Sequence, residues 1–81
     1  MKEIHLVIVS PETMIFDGQV DSVTLPGESG KFQILAHHAP LISSLTGGEI
    51  CYEAGQESRS LHIQEGFVEV KDNQISVCVE L

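Results

Sequence analysis

Histidines are the side chains of this 81-residue sequence best suited to metal chemistry. The four are His5, His37, His38 and His62. Imidazole is the commonest metal ligand in proteins, so the last three predict one candidate function, a small metal- or ligand-binding β-barrel. Neighbouring side chains of an extended chain point to opposite faces, so only one of His37 and His38 can join such a site. Because no carboxylate or cysteine stands at a recognisable ligand spacing, the alternative is one histidine that hydrogen-bonds a corner and one that is solvated.

A glycine-rich stretch, Gly27-Glu28-Ser29-Gly30-Lys31, looks like the end of a phosphate-binding loop. That loop needs an earlier glycine where Leu25 stands, a serine or threonine where Phe32 stands, and a helix that follows it. The stretch meets none of these requirements and is typical of a plain turn. We therefore predict that this chain binds no nucleotide and no other cofactor.

Serine, histidine and acidic residues are all present, but no Gly-x-Ser-x-Gly elbow is, and the acidic residues are spread singly through turns. Nucleophilic catalysis has no support in this pattern, so we predict that the chain is not an enzyme. The carboxylates are better explained as solvated strand faces and as protection of sheet edges against aggregation.

Strong acidity limits the classes of partner. The chain has 12 acidic residues against 4 lysines and arginines, and its formal net charge is -8. A protein needs a positive electrostatic field to bind nucleic acids or anionic membranes. The composition therefore argues against a nucleic-acid binder and favours a basic protein partner. One domain of this size, residues 1–81, has a small core, and a partner is expected to cover apolar surface that the domain cannot bury by itself.

The two cysteines indicate a reducing compartment. Cys51 and Cys78 each lie in an apolar alternating run, where a free cysteine behaves as a small hydrophobic residue, although one bridge between neighbouring strands stays open as an alternative. No apolar run approaches the roughly 20 residues that span a bilayer, and no basic segment precedes an apolar one as in a secretory signal. We expect a soluble chain that reaches a membrane only through a partner.

Alternation of apolar and polar residues predicts strands from the beginning of the chain. In Ile4–Val9 both faces are largely apolar, so Val7 and Val9 are either covered by a neighbouring strand or presented to a partner. Proline then ends the strand in Ser10-Pro11-Glu12. The next segment, residues 14 to 25, shifts its apolar phase, and we place a turn or bulge at Asp17-Gly18.

The rest of the chain predicts further short strands. A turn at residues 26–30 precedes a strand with Phe32 and Ile34 on its buried face. Residues 41 to 45 fit a helical turn as well as a strand. Two hairpins follow, one with a turn near Gly55 and one with a turn at Asp72-Asn73. The fold class is therefore all-β, a sandwich or a barrel.

The central stretch of the chain carries a family resemblance. Its motif residues are Gly27, Gly30, Phe32 and Ile34, then His38-Ala39-Pro40-Leu41-Ile42, then Leu45 and Gly48. Further matches are Val9-Ser10-Pro11-Glu12, Phe16-Asp17-Gly18, Gly66-Phe67-Val68-Glu69-Val70 and the final strand, Ile75 to Val79. On these residues the sequence closely resembles the epsilon subunit of the bacterial F-type ATP synthase, over essentially its whole length.

The resemblance implies a fold and a role. The fold is a sandwich of two antiparallel sheets with about ten short strands, which makes residues 41–45 a strand. The role is that of a non-catalytic central-stalk subunit that links the gamma subunit to the membrane rotor ring and couples ion-driven rotation to ATP synthesis. Such a subunit is peripheral on the cytoplasmic face of the bacterial inner membrane and touches the membrane only indirectly, through the ring.

The resemblance also implies site residues. The ring-facing loop is Glu28, Ser29, Gly30 and Lys31, and the gamma-facing positions are Ser10, His38 and Ser43. The structural motif residues are Gly27, Phe32, Ala39, Pro40, Leu41, Gly48 and Gly66.

Two departures from the family pattern affect these expectations. Longer members carry a C-terminal helical hairpin that restrains ATP hydrolysis and in some binds ATP. The sequence stops at Leu81, directly after the last strand, so those activities are expected to be absent. At Ala36-His37 the family more often has proline followed by glycine or asparagine, which predicts a differently shaped corner before His38.

Overall fold

The computed structural model describes residues 4–81, and within them the secondary structure consists of nine β-strands and no helix. The strands are β1 (Ile4–Val9), β2 (Met14–Val20), β3 (Ser22–Gly27), β4 (Gly30–Ile34), β5 (Leu41–Leu45), β6 (Gly48–Ala54), β7 (Glu57–Ile63), β8 (Glu65–Lys71) and β9 (Gln74–Glu80). The all-β prediction is confirmed, and nine strands fit the expected number of about ten. Within the described residues there is accordingly no helix that is long and apolar enough to cross a membrane.

Hydrogen bonds join the nine strands into one curled sheet with two parts. The first sheet has the order β2-β1-β9-β8-β5, and the second has the order β4-β3-β6-β7. They meet where Gly27 pairs with Leu45, beside a hydrogen bond from the Thr46 amide to the Pro26 carbonyl oxygen (2.9 Å). Pairing is antiparallel except between β1 and β9, which run parallel. The implied sandwich is thus present, and the pairing of β1 with β9 is its one departure from the antiparallel pattern among the described strands.

The core lies between the two parts and is built by the inward faces of nearly all the strands. In β1 every second residue is buried, as the alternating pattern predicts. The buried apolar residues are Ile4, Leu6, Ile8, Val20, Val23, Leu25, Ile34, Leu45, Ile50, Tyr52, Ile63, Val68, Val70, Ile75, Val77 and Val79. Phe16 of β2 and Tyr52 of β6 close the gap between the sheets, with ring centroids 4.6 Å apart. Burying this set of side chains is the main driving force for folding.

The predicted break at Asp17-Gly18 is wrong. Strand β2 runs without interruption through both residues, because Gly18 pairs with Leu6 in the ladder with β1. The register shifts instead between Ile8 and Val9. Ile8 pairs with Phe16 and Val9 pairs with Met14, so one extra residue of β2 forms a bulge. The apolar phase changes three residues later than predicted, at the corner between β2 and β3.

That corner is held by Asp21. Its amide donates to the Glu53 carbonyl oxygen (2.7 Å), and its carboxylate accepts a hydrogen bond from the Gly55 amide (2.7 Å). Gly55 has a φ of 66°, a conformation that glycine adopts without strain, in the turn between β6 and β7. One aspartate therefore ties the first corner of the chain to a hairpin more than 30 residues away.

The turn predicted at residues 26–30 is shorter in the structure, because Pro26 and Gly27 end β3 and Gly30 begins β4. The strand implied at residues 41–45 and the two later hairpins are confirmed. Residues 41–45 form a strand, β5, which pairs with β8 over its whole length. Strands β6 and β7 form one predicted hairpin, and β8 and β9 form the other, whose turn residues Asp72 and Asn73 both have positive φ. Such a two-residue turn matches the twist of the strands it joins. Cys51 and Cys78 are both free, so the alternative of a bridge between them is wrong.

Candidate functional site

A two-residue turn at Glu28 and Ser29 forms the tip of the hairpin between β3 and β4. Both residues are exposed, as are Gly30 and Lys31 on the returning strand. Gly30 has a φ of 124°, which a residue with a side chain rarely adopts, so the tight reversal requires glycine there. We call residues 28–31 the hairpin tip. Because the side chains of Glu28, Ser29 and Lys31 stay outside the core, these three residues can vary without changing the fold.

The base of this hairpin explains why Gly27 and Phe32 occur together in the motif. Gly27 is buried, and the Phe32 ring lies over it. A Cβ added at Gly27 would come within 2.8 Å of both the Phe32 ring and the Gly30 carbonyl oxygen. An aromatic ring that covers a cross-strand glycine in this way excludes water from the exposed backbone and fixes the register of the hairpin.

The corner between β4 and β5 carries the predicted histidine pair. His37 has a φ of 66°, in the left-handed region where glycine and asparagine are favoured over other residues. Its amide donates to the Asn73 side-chain oxygen (2.6 Å) in the turn between β8 and β9. The His38 Nδ1 lies 2.8 Å from the Ala39 carbonyl oxygen, and the His38 ring is exposed. His37 thus adopts a conformation that the glycine or asparagine of the family pattern would favour, and Asn73 fixes the corner in place. The difference in corner shape stays a prediction.

Asn73→Ala is expected to lower the free energy of unfolding by about 2 kcal/mol. Roughly half of this comes from forcing an alanine into a left-handed turn position and half from the lost hydrogen bond to the His37 amide. Asn73→Gly keeps the turn conformation and removes only the hydrogen bond, so we expect a loss of about 1 kcal/mol from that variant. Urea unfolding of the two variants measures both values. Equal losses would contradict a separate contribution from the turn conformation.

The three predicted gamma-facing residues lie in different places. Ser10 follows β1 at the end of the first sheet where Glu28 of the hairpin tip also lies, and the two line one cleft. Ser43 is half-buried on the inner side of β5 and faces the base of the hairpin. His38 lies with Asp72 and Asn73 at the opposite end of the first sheet. The structure thus brings Ser10 close to the predicted ring-facing loop but separates it from His38 by about 20 Å, the length of β8.

Of the remaining motif residues, Leu41, Gly48 and Gly66 lie in closely packed positions. Leu41 is half-buried against the core, whereas Ala39 and Pro40 are exposed in the corner that leads into β5. A Cβ at Gly48 would meet the Pro26 ring at 3.0 Å. At Gly66 it would overlap the Cys78 carbonyl oxygen, so only glycine allows β8 and β9 to approach this closely.

The histidines do not form a metal centre. Within residues 4–81 no group of three or more histidine, cysteine, aspartate or glutamate side chains could hold a metal ion. His62 Nδ1 lies 3.1 Å from the Glu49 carboxylate on the neighbouring strand, and His5 Nε2 lies 2.5 Å from the Asp17 carboxylate. Each pair joins an edge strand to its neighbour, β7 to β6 and β2 to β1. The structure therefore favours a stabilising role for the imidazoles of His5 and His62 over a metal site.

The sequence interpretation missed a cluster on the outer face of the first sheet, namely Phe67, Glu65 and Glu80. Phe67 is 50% exposed, and Glu65 pairs directly with Glu80 across β8 and β9. A signal for this cluster was present. The two-residue turn at positions 72–73 sets the register of this hairpin, and from that register the opposition of Glu65 and Glu80 follows.

Comparison with known protein families gives one description for nearly the whole chain. Residues 3–81 match the family model of the β-sandwich domain of the ATP synthase delta/epsilon chain. The ATP synthase epsilon chain of Leptospira borgpetersenii is 36% identical over 78 residues, which are 96% of this chain and 61% of that protein. The epsilon chain of Nitratidesulfovibrio vulgaris (strain Miyazaki F) is 39% identical over 79 residues, 98% of this chain and 59% of that protein. The chain thus spans about three fifths of the length of these curated relatives.

Solved structures agree with this fold. A chain of the mitochondrial ATP synthase of Euglena gracilis, solved as its OSCP/F1/c-ring part, superposes with a TM-score of 0.90 at 22% identity, over 98% of this chain and 51% of that one. A chain from the central stalk and c-ring of the Tetrahymena thermophila mitochondrial ATP synthase gives a TM-score of 0.83 at 17% identity, over 99% of this chain and 65% of that one. At these identities the likeness establishes the fold, a β-sandwich.

Proposed function

The chain belongs to the family of ATP synthase delta/epsilon chain β-sandwich domains, and from this membership we propose that it is a non-catalytic subunit of the central stalk of an ATP synthase. In this role it links the gamma subunit to the membrane rotor ring and turns with both. Ion-driven rotation of the ring then reaches the catalytic sites, which lie in other subunits. Because the chain spans only part of its relatives' length, the proposal concerns the work of the sandwich.

The observation that carries the proposal is that the similar curated proteins share one description. Proteins that are 36 to 40% identical over 94 to 98% of this chain are ATP synthase epsilon chains. Matches that cover nearly the whole chain extend through strands, turns and corners alike. A shared fold alone would not require this level of identity, since one fold can host many functions.

A coupling element must be stiff. A torque that is transmitted through a domain is wasted if the domain deforms, and a closely packed interior has low compressibility. Here the two sheets enclose one core, and Asp21 and Asn73 hold distant turns together with hydrogen bonds of 2.7 and 2.6 Å. The sandwich is therefore suited to transmit force between two contact surfaces.

We assign the ring contact to the hairpin tip, Glu28 to Lys31. This assignment is supported by the exposure of all four residues and by the rigid base that Gly27 and Phe32 provide. Charged groups at such a tip set the orientation and the rate of association more than the affinity. The tip would thus seat the stalk on the polar loops of the ring in one orientation.

We assign the gamma contact to Ser10 and His38. Ser43, the third position that the resemblance implies, faces the base of the hairpin between β3 and β4 and stays a separate prediction. Ser10 and His38 lie at opposite ends of the first sheet, so one partner that touches both must lie along that sheet. Val7 and Val9 of β1 are half-buried on the outer face between them, in keeping with a partner that covers them. The subunit is then peripheral on the cytoplasmic face of the bacterial inner membrane, and it meets the bilayer only through the ring.

Binding to gamma tests the proposal. The 81-residue chain, purified and immobilised, should retain separately expressed gamma subunit from the same cell at low and at moderate salt, because an interface with apolar contacts persists when charges are screened. In addition, the intact ATP synthase isolated from that cell should contain this chain. No retention of gamma at any salt concentration, together with a different epsilon chain in the purified enzyme, would overturn the proposal.

A further inference from the structure

A cleft on the first sheet combines an apolar floor with carboxylates. Its floor is formed by Val9, Cys78 and Phe67, which stand side by side on β1, β9 and β8 because Cys78 pairs with both of the others. Its rim carries Glu65, Glu80 and, from the hairpin tip, Glu28. We call this feature the Phe67 cleft. We infer that it binds a short amphipathic helix of a protein partner that carries lysine or arginine beside its apolar face.

The charges of the cleft point to a cationic occupant. Glu65 and Glu80 are both exposed and stand directly opposite each other on adjacent antiparallel strands, an arrangement in which like charges repel. None of the described residues that line the cleft is basic. The lysines and arginines that the structure describes are Lys31, Arg59 and Lys71, and Arg59 lies within 3.8 Å of Glu57 on the other sheet. A cation from a partner, placed between Glu65 and Glu80, would relieve the repulsion that the free chain carries.

The floor of the cleft points to an apolar face on the same occupant. Phe67 is 50% exposed although it lies in the middle of the sheet, and Val9 and Cys78 beside it are only partly buried. Three adjacent strands place these side chains in a row about 10 Å long, which matches two turns of an α-helix. The carboxylate pair lies two residues further along the strands, about 7 Å from the row. A helix that lies on the row can therefore reach the pair with one long basic side chain.

This inference deepens the proposed function, on which it rests for the identity of the partner: the helix belongs to the stalk subunit that contacts Ser10. The Ser10 position lines the same cleft, so the contact with this residue and the occupation of the cleft are parts of one interface. The acidic composition of the chain, with a formal net charge of -8, attracts a basic segment from a distance as well.

The first experiment uses an amphipathic helical peptide of leucine and lysine as the probe. Titration of the peptide into the full chain, followed by amide NMR shifts, is expected to move the signals of Val9, Phe67 and Cys78 most. Glu65→Gln combined with Glu80→Gln should weaken binding about tenfold at low ionic strength. The control, Glu53→Gln with Glu57→Gln, removes the same charge from exposed positions of the second sheet and should leave binding nearly unchanged.

Phe67→Ser separates the apolar contribution from the charges. It should weaken binding of the peptide about tenfold at high salt as well, where screening has removed most of the electrostatic difference. A matched peptide with glutamate in place of lysine should not bind. The inference is overturned if the shifts map to another surface, if both double variants weaken binding equally, or if the glutamate peptide binds as well as the lysine peptide.

The second experiment repeats the measurement with the gamma subunit. Weaker binding of gamma by the Glu65 and Glu80 double variant, with an unchanged control, would support the inference and the proposed function together. Equal binding of gamma by both double variants would overturn the inference and leave the proposed function intact. A third outcome is that gamma binds neither the wild type nor the variants, while the lysine peptide binds the wild type in the cleft. The proposed function then fails, and the inference holds for a cationic helix of another partner.

Discussion

Replacement of Gly66 by alanine is expected to lower the free energy of unfolding by about 3 kcal/mol. A Cβ at this position would overlap the Cys78 carbonyl oxygen and lie 3.3 Å from the Val79 Cα, and both are backbone atoms that no side-chain rotation can move. Relief would require β8 and β9 to separate at the end where Gly66 pairs with Val79. A domain of 81 residues has roughly 4 to 12 kcal/mol of stability, so this single methyl group removes a large fraction of it.

Thermal unfolding followed by circular dichroism measures the effect, which corresponds to a decrease in Tm of about 12 to 24 °C. Gly47→Ala is the matched control, since a Cβ there would lie 3.2 Å from the Gln64 carbonyl oxygen, a distance that a small backbone shift corrects. Its free energy of unfolding should stay within about 1 kcal/mol of the wild type. A Gly66→Ala protein as stable as the Gly47→Ala protein would show that the two strands can separate at little cost.

Local pattern was sufficient to predict the hairpins of this fold. In β8 and β9 the alternation of apolar residues identifies the buried face, and the turn at Asp72-Asn73 sets which residues oppose each other. A shift of one residue would move Val68 and Val77 to the solvent face, so the buried face itself enforces the register. For the same reason, Phe32 and Ile34 could be assigned correctly to the inner side of β4.

Features that depend on distant residues were not predictable from local pattern. The position of the bulge in β2 depends on how Ile8 and Phe16 pair, and the corner at Asp21 depends on a turn near Gly55. The parallel pairing of β1 with β9 joins the two ends of the chain, and nothing in either strand indicates a partner that far away. Periodicity also could not decide between helix and strand for residues 41–45, because that choice is made by the ladder with β8.

The candidate site also has features that local sequence pattern predicts and features that it does not. Exposure of the hairpin tip follows from its turn composition, and the structure agrees. The gamma-facing role of Ser10, His38 and Ser43 rests on family resemblance and stays a prediction, since a serine or histidine at a strand end has no physical signature of a partner. In contrast, the outward position of Phe67 beside two carboxylates follows from the register that the turn at positions 72–73 sets, but the cleft that it forms with Val9 depends on the pairing of β1 with β9.

The hairpin tip offers the second large effect, which requires a pair of variants to interpret. Gly27→Ala should lower the free energy of unfolding by about 2 kcal/mol and also impair coupling, because the new methyl group meets the Phe32 ring and the Gly30 carbonyl oxygen at 2.8 Å. The ring can rotate away, but the carbonyl oxygen belongs to the tip itself. The overlap is therefore relieved by displacing the residues that are proposed to contact the ring.

Lys31→Glu changes the charge of the tip without changing its shape. Lys31 is exposed and forms no ion pair with the residues that the structure describes, so its replacement should alter the free energy of unfolding by no more than about 1 kcal/mol. Membrane vesicles that contain the variant enzyme should nevertheless show less ion pumping for each ATP hydrolysed, since the charge that orients the tip on the ring is reversed. Lys31→Gln, which only removes the charge, should give an intermediate ratio of pumping to hydrolysis.

The two kinds of variant together separate shape from charge at the ring contact. If Gly27→Ala lowers coupling and Lys31→Glu does not, the position of the tip matters and its charge does not, so the stalk is seated by backbone and packing contacts. If both variants couple as well as the wild type while Gly27→Ala is measurably less stable, the tip is displaced without consequence. The ring contact must then lie on another part of the sandwich, because a contact that transmits torque cannot tolerate displacement of the residues that form it.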